Sequence, residues 1–383
     1  MYIEGKGIFM TLKYDSWEKL KRIIIFGYGR QARRIISKLD EDFDIVSVVD
    51  NSDSVVGTEW KNGKYVEKFD VIKSLVADAK IIVCLMGKNY ENVSEQLRRE
   101  GYIERENFIK CEEFISEWYI QFKNELCIMS MDVLTTTFCN LRCKGCAAFV
   151  PYINNAKHIS CSSIVESLDT FFDLCDYCFS LMLYGGEPLL NPELPQILDV
   201  IVERYKNKIG YIGIITNGCC ILEGDILDSI IRNKVGISIS DYSDVSGYGE
   251  KVENFCKVLE HNNIDFDRNT NMEWRYLGFP EEHICLEPIE GQTHKKSCGQ
   301  VCHAVVNGKI YYCATAAVAE ESRLFPECSK DFYHLRNLGN MPNAKNVLKE
   351  FICGEDLNYK GFCDVCGGFG MDNPNIIKAG RQR

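Results

Sequence analysis

The strongest constraint on this chain is a regular exchange of apolar runs and amphipathic segments between residues 128 and 268. The pattern predicts strands at 128–135, 180–184, 210–216, 235–240 and 264–268. It predicts helices between them at 162–174, 193–205, 224–232 and 250–261. Repeated strand–helix units build a parallel sheet, open or curled into a barrel. On such a sheet a functional site belongs at the carboxyl ends of the strands.

A separate unit covers residues 21–115. An apolar strand, Lys21 to Phe26, runs into Gly27-Tyr28-Gly29-Arg30-Gln31-Ala32, and a helical pattern follows through Leu39. A second strand, 45–49, ends in Asp50; a later strand at 80–85 precedes a helix at 89–100. This is the order of a Rossmann-like, dinucleotide-binding unit. Gly27 and Gly29 would let helix-start amides approach a diphosphate, and Asp50 would suit a ribose diol. The same turn also occurs in such domains that bind nothing, so nucleotide-binding and scaffold readings both stand. Residues 112–126 read as a linker helix docked by Trp118 and Tyr119. From about Asn271 the alternation stops, and residues 271–383 form a small cysteine-rich region with one hairpin, 304–306 and 310–312, around Asn307-Gly308.

Twenty cysteines in 383 residues demand an account. Disulfide scaffolds belong mostly to short secreted chains. Here the first twenty residues lack a basic stretch followed by an apolar one, and no apolar run approaches the roughly 18–20 residues that span a bilayer. The expected setting is a reducing cytoplasm without membrane attachment, where thiols stay free or bind soft metals. Lys plus Arg number 44 against 55 Asp plus Glu, a net charge of −11 that disfavours nucleic acid as a partner. Six histidines show no metal spacing. Cys84, Cys111, Cys161, Cys175, Cys178 and Cys256 read as small buried apolar residues.

Cys139-Asn140-Leu141-Arg142-Cys143-Lys144-Gly145-Cys146 follows the first strand of the central region. Three thiolates on one short loop can hold three irons of a 4Fe–4S cube and leave the fourth iron open. Zinc competes, although a structural zinc site takes four ligands. Leu183-Tyr184-Gly185-Gly186-Glu187-Pro188 closes the second strand; its glycines allow close backbone approach, and Glu187 can receive an ammonium group.

Over residues 127–270 these motifs resemble the radical S-adenosylmethionine (SAM) superfamily, which implies a partial (β/α)6 barrel. The resemblance assigns Cys139, Cys143 and Cys146 to a 4Fe–4S cluster whose open iron is chelated by SAM. It assigns Gly185, Gly186, Glu187 and Pro188 to the SAM amine. Asn217 and Ser240, in Ile215-Thr216-Asn217-Gly218 and Ser238-Ile239-Ser240-Asp241, stand where the family commonly contacts SAM. The residue before the third cysteine is often aromatic in the family and packs near adenine; here it is Gly145, which leaves Phe138 or Phe149 for that task.

The later cysteines resemble the family's Twitch and SPASM extensions. Cys298, nine residues, Gly308, four residues and Cys313, with Cys363-Asp364-Val365-Cys366, match the single-cluster Twitch form. The resemblance assigns Cys298, Cys313, Cys363 and Cys366 to an auxiliary 4Fe–4S cluster. Cys302 is an alternative to Cys298, Cys328 or Cys353 would serve a second incomplete site, and zinc on the same four ligands is the rival. The implied chemistry is reductive cleavage of SAM, with electrons from a donor such as flavodoxin or ferredoxin. The expected substrate is a sugar or sugar nucleotide, oxidised or epimerised at one carbon. A peptide-modifying maturase is the alternative, and a non-catalytic iron–sulfur protein is a third reading. Cys219, Cys220, Cys285 and Cys302 are candidate hydrogen donors for an epimerase, Trp274 and Asp267 are candidate substrate contacts, and no catalytic residue is otherwise assigned.

Overall fold

A computed structural model of the chain describes residues 15–75, 78–270, 273–282, 288–298, 302–353, 360–370 and 372–383. The chain divides into two compact units, residues 1–127 and 128–383. Among the described residues no helix is long and apolar enough to cross a membrane.

The first unit is a four-stranded parallel sheet flanked by helices. Its elements are β1 (Arg22–Phe26), α1 (Arg30–Asp42), β2 (Asp44–Val49), β3 (Lys80–Val83), α2 (Gly87–Arg99), β4 (Phe108–Lys110) and α3 (Cys111–Lys123). The strand order is β2-β1-β3-β4. Ile23, Ile24, Ile25 and Phe26 are all fully buried, as a strand covered on both faces requires. Helix α1 buries Ala32, Ile35, Ile36 and Leu39, one stripe at helical spacing. The segment expected to be a linker is α3, and it belongs to this unit. The Trp118 indole donates to the Trp17 carbonyl at 2.8 Å and the Tyr119 hydroxyl to Asp42 at 2.7 Å. Asn124, in the left-handed conformation at φ 55°, ends the helix.

The second unit contains β5 (Met131–Thr136), α4 (Cys161–Leu174), β6 (Leu181–Gly185), α5 (Leu194–Tyr205), β7 (Ile212–Thr216), α6 (Gly224–Asn233), β8 (Gly236–Ser240), α7 (Gly249–His261) and β9 (Phe266–Asn269). These follow the expected alternation with ends shifted by at most three residues. Beyond them lie β10 (Glu273–Arg275), α8 (Pro288–Cys298), β11 (Ala304–Val306), β12 (Lys309–Tyr311), α9 (Ala314–Glu321), β13 (Phe332–His334) and β14 (Ile376–Lys378). One eight-stranded sheet runs β9-β8-β7-β6-β5-β11-β12-β13. Its first six strands are parallel, a partial barrel-like sheet, and the last two add antiparallel.

Three strands of the 271–383 region therefore continue the central sheet, with Ala304 paired to Asp132. The expected hairpin is present, and its Asn307 and Gly308 turn has φ of 48° and 73°, the two left-handed residues that a tight hairpin needs. Strand β5 becomes the centre of the sheet and is buried along its whole length. On β7, β8 and β9 the two faces differ. Ile214, Ile237 and Ile239 are fully buried, whereas Ile215, Ser240, Asp267 and Asn269 are half-buried. The register sets Ile215, Ser238 and Asp267 in one row and Ser240 with Asn269 in the next. Because side chains alternate along a strand, one face is apolar and closed and the other carries a polar row.

Candidate functional site

The three-cysteine loop leaves β5 and folds over the carboxyl end of β6. Pairing of these two strands persists past the sheet: Gly186 N–H donates to the Thr136 carbonyl at 2.9 Å and Glu187 N–H to the Phe138 carbonyl at 2.7 Å. A Cβ added to Gly185 would lie 2.1 Å from the Thr136 carbonyl oxygen, and one on Gly186 would lie 2.1 Å from that of Phe138. Both glycines are required by this approach of one backbone to another.

Glu187 is fully buried. Its carboxylate accepts from the Thr216 hydroxyl and the Asn217 amide, both at 2.8 Å, and from the Leu189 amide at 3.2 Å. The side chain expected to receive an ammonium group thus ties the end of β6 to the end of β7. A buried carboxylate needs donors, and the strand ends supply them. Burial pushes its carboxyl up to about 7, partly offset by those hydrogen bonds. Pro188 opens a short 3-10 turn behind it.

Asn217 reaches the cysteine loop. Its amide nitrogen is 2.8 Å from Asn140 Oδ1 and 3.8 Å from Cys139 Sγ. Leu141 N–H also points at Cys139 Sγ, at 3.4 Å, and Asn140 Nδ2 lies 3.7 Å from Cys220 Sγ. Burial pushes the thiols of Cys139 and Cys143 up to about 12 and about 11, and raises that of Cys146. Protonated thiols result, so loading a metal group on them must release protons. Ser240, at the end of β8, is half-buried beside Tyr242, whose hydroxyl it meets. Asp241 is spent on Arg268 and the Ser243 amide.

The two aromatic candidates separate. Phe149 is 1% exposed and packs edge-on against Phe279 and Phe362, so it is a core residue and unavailable to adenine. Phe138 is exposed and stacks on the His158 ring at 4.6 Å. A Cβ on Gly145 would fall 2.2 Å from Ile377 Cδ1 and 3.1 Å from the Tyr276 ring, so the place of an aromatic side chain is taken by residues far along the sequence.

Cys298, Cys313, Cys363 and Cys366 line one cavity, together with Lys295, Tyr312, Asp331 and Lys360. Cys298 arrives at the end of α8, Cys313 before α9, Cys363 on a 3-10 turn at Gly361–Asp364, and Cys366 just after that turn. Amides of Gly368 and Phe369 point at the sulfurs of Cys366 and Cys298, at 3.4 and 3.3 Å. Cys302 is absent from this lining and neighbours Asp132 and Cys313. Cys328 sits against Gly361 and Cys353 is exposed. Cys285 lies outside the described residues. Among the described residues no three Cys, His, Asp or Glu side chains close on a single point as ligands of one ion do.

In the first unit Gly27 has φ 97°, and a Cβ there would meet Leu85 at 2.7 Å. Gly29 starts α1 with nothing within 4 Å of where a Cβ would stand. Asp50 accepts from the amides of Tyr28 at 2.7 Å and Ser52 at 2.8 Å, so it braces the glycine turn from below.

Sequence reasoning passed over three residues of the second unit. Asp132 is a buried carboxyl on β5 pushed up to about 7 by burial alone, and its only signal was one acid in an apolar strand. Tyr242 lies close to all three loop cysteines. Gln382 donates to Cys143 Sγ at 3.2 Å, a contact across 239 positions that no local pattern announces.

Residues 133–268 match the Radical SAM superfamily, and residues 19–108 match the family described as C2185-like, N-terminal. No curated protein matches the chain. Among solved structures, native anSMEcpe with bound AdoMet and Cp18Cys peptide is 20% identical with a TM-score of 0.29 over 36% of this chain and 42% of that one. The chain thus matches about two fifths of the length of that protein. BtrN in complex with AdoMet and 2-DOIA is 13% identical with a TM-score of 0.38, over 66% of this chain and 98% of that one. Streptococcus suis SuiB bound to precursor peptide SuiA is 14% identical with a TM-score of 0.30, over 73% and 83%.

Two predictions follow from this geometry. Gly186→Ala forces a methyl group into the Phe138 carbonyl, an overpacking that costs about 1–3 kcal/mol and displaces the loop. Iron analysis of the reconstituted variant should show less iron than the natural chain, the loss falling on the three-cysteine loop. The second concerns Asp132 and pH. Unfolded, its carboxyl titrates near about 4; folded, its pKa is raised to about 7. The folded state then holds a proton that the unfolded state has released, so this group's contribution to stability falls as pH rises through that window. Denaturant unfolding of the cluster-free protein should show Asp132→Asn gaining about 1–3 kcal/mol on the natural chain between about pH 5 and 8. A constant difference across that range would refute it.

The three-cysteine loop, closed on two glycines at the carboxyl end of a parallel sheet, lies within the segment that matches the Radical SAM superfamily, and the segment that matches the C2185-like, N-terminal family precedes it in the sequence.

Proposed function

We propose that the chain is a radical SAM enzyme that oxidises or epimerises one carbon of a sugar or sugar nucleotide. The observation that carries the reading is the Cys139, Cys143 and Cys146 loop held at the strand ends beside a polar row of the same sheet. The donor set, three thiols on one loop with N–H groups directed at two of the sulfurs, suits a 4Fe–4S cluster. When bound, the cluster and SAM supply the one-electron cleavage that yields methionine and a 5′-deoxyadenosyl radical. The remaining work falls to this chain's own residues.

Gly185 and Gly186 let the backbone of the cysteine loop close on the end of β6, and Glu187 ties that end to β7 through Thr216 and Asn217, which fixes the rim against which the methionine moiety would lie. Ser238 and Asn269 both donate to Asp267 Oδ2, each at 3.0 Å. Buried Ser238 with half-buried Asp267 and Asn269 thus makes a polar, hydroxyl- and amide-bearing set on this face of the sheet, which supports a polyhydroxylated substrate. Cys298, Cys313, Cys363 and Cys366 would hold an auxiliary cluster, which when bound would supply a one-electron acceptor for a substrate radical. This favours dehydrogenation, in which the radical carbon loses an electron and its hydroxyl a proton, leaving a carbonyl. The Rossmann-like unit fits a nucleotide handle, with Gly29 free of neighbours at the start of α1. An electron donor of the flavodoxin or ferredoxin class completes the cycle.

Reconstituted anaerobically and reduced, the protein should carry about eight irons per chain and convert SAM to 5′-deoxyadenosine. Replacing Cys139, Cys143 and Cys146 together by Ala should abolish that conversion and leave about four irons. Zinc in place of the remaining iron would refute the auxiliary-cluster assignment, and persistent 5′-deoxyadenosine would refute the first. A product oxidised by two electrons, with no deuterium fixed from heavy water, marks dehydrogenation; deuterium at an inverted carbon marks an epimerase. Turnover of a precursor peptide and of no sugar would overturn the substrate class. For the amino-terminal unit, Gly29→Ala meets no neighbour and should leave the fold intact. It should weaken dinucleotide or sugar-nucleotide binding in calorimetry at least several-fold, and binding unchanged from the natural chain would leave the turn without that role.

A further inference from the structure

We propose that Gln382 is a positioning residue for the three-cysteine site, fixing the Cys143 sulfur and raising the reduction potential of the cluster held there. The inference rests on the radical SAM reading of Cys139, Cys143 and Cys146.

Residues 381–383 meet the cysteine loop in an isolated antiparallel bridge, in continuation of β14. Lys144 N–H donates to the Arg381 carbonyl at 2.7 Å and Arg383 N–H to the Arg142 carbonyl at 2.9 Å, which brackets a bridge between Cys143 and Gln382. Within that bracket the Gln382 side chain lies along the loop. Its Oε1 accepts from Arg142 N–H at 2.8 Å, which fixes the orientation of the amide. The Nε2 group is thereby turned to the sulfur, 3.2 Å away, and spends its other hydrogen on the Gly380 carbonyl at 2.7 Å. A side-chain amide held at both ends cannot swing away from the thiolate without breaking all three contacts.

The strand is seated by contacts that do not involve Gln382. Strand β14 pairs with β10, Ile377 closes over Gly145, and Lys378 bonds Asp244 at 2.7 Å. Arg383 lies 3.3 Å from Glu281 and over the Tyr152 ring at 4.6 Å. A substitution at position 382 can therefore remove the donor and leave the strand in place.

The electrostatic consequence has a definite sign. Hydrogen bonds to cluster sulfurs withdraw negative charge, and the reduced state carries one more electron than the oxidised one. A donor on Cys143 stabilises the reduced state more, so its loss moves the potential downwards. Gln382→Met keeps length and loses the donor. Gln382→Glu keeps the shape and the acceptor for Arg142 N–H, but sets a carboxylate against the sulfur.

The test is a reductive titration followed by electron paramagnetic resonance on the reconstituted full chain. The triple Cys139, Cys143 and Cys146 variant identifies the auxiliary signal, which serves as an internal reference. The expected order of potentials for the first cluster is natural chain, then Gln382→Met, then Gln382→Glu as the most negative, with the auxiliary signal unmoved and iron content retained. Equal potentials in all three proteins would overturn the proposal, as would a shift of both clusters together. Loss of iron from the first site in Gln382→Met alongside an unshifted Gln382→Glu would also overturn it, since a spacer and not a donor would then be required. Absence of any iron at Cys139, Cys143 and Cys146 in the natural chain would instead refute the radical SAM reading on which the inference stands.

Discussion

The site depends on one close approach between two stretches of backbone. Strands β5 and β6 go on hydrogen bonding after the sheet has ended, through Gly186 to Thr136 and Glu187 to Phe138. That seam fixes where the three-cysteine loop begins. It also fixes where Glu187 enters the protein, and Glu187 in turn draws in the end of β7 through Thr216 and Asn217. Asn217 then meets the first cysteine and its neighbour. Two missing side chains thus set a chain of contacts across three strand ends, and any Cβ at either glycine would open it.

Much of this was legible because it is local. Alternating strands and helices, three cysteines at short spacing, paired glycines before an acid and a hairpin at Asn307-Gly308 all write themselves into a few consecutive residues. The four later cysteines were grouped only by the resemblance; in the structure they line one cavity, with Cys298 rather than Cys302 in its wall. Hidden features are those made by distant partners. Nothing near Ala304 announces that it will pair with Asp132, and nothing near Cys111 says that the helix starting there will bury Trp118 against Phe43. The absence of an aromatic residue at position 145 was visible; its replacement by Ile377 was not. Glu187 was read for its charge, whereas burial made its hydrogen-bond needs the stronger determinant.

The second cavity has an electrostatic character of its own. Lys360 is 2% exposed and its ammonium stands 4.2 Å from the Phe351 ring and 5.0 Å from Tyr312; Lys295 stands 4.8 Å over Tyr312 from another side. The four thiols of this cavity share its lining with two buried cations, and amides of Gly368 and Phe369 point at two of the sulfurs. Among the described residues, the three-cysteine loop has no lysine in the groups that contact its sulfurs and relies on N–H groups from Leu141, Asn217 and Gln382. Both sites aim dipoles at sulfur, and the second adds full positive charges to its wall.

The strand that carries Gln382 also imposes an order in time. It lies 239 positions after the cysteine it contacts, so a ribosome must finish almost all of the second unit before the two can meet. Contacts at such separation form late in folding, after the loop between them has been closed. Through that interval the three thiols stand on a loop whose outer edge is bare backbone. The arrival of residues 376–383 then covers that edge, so the loop is completed from the far end of the sequence.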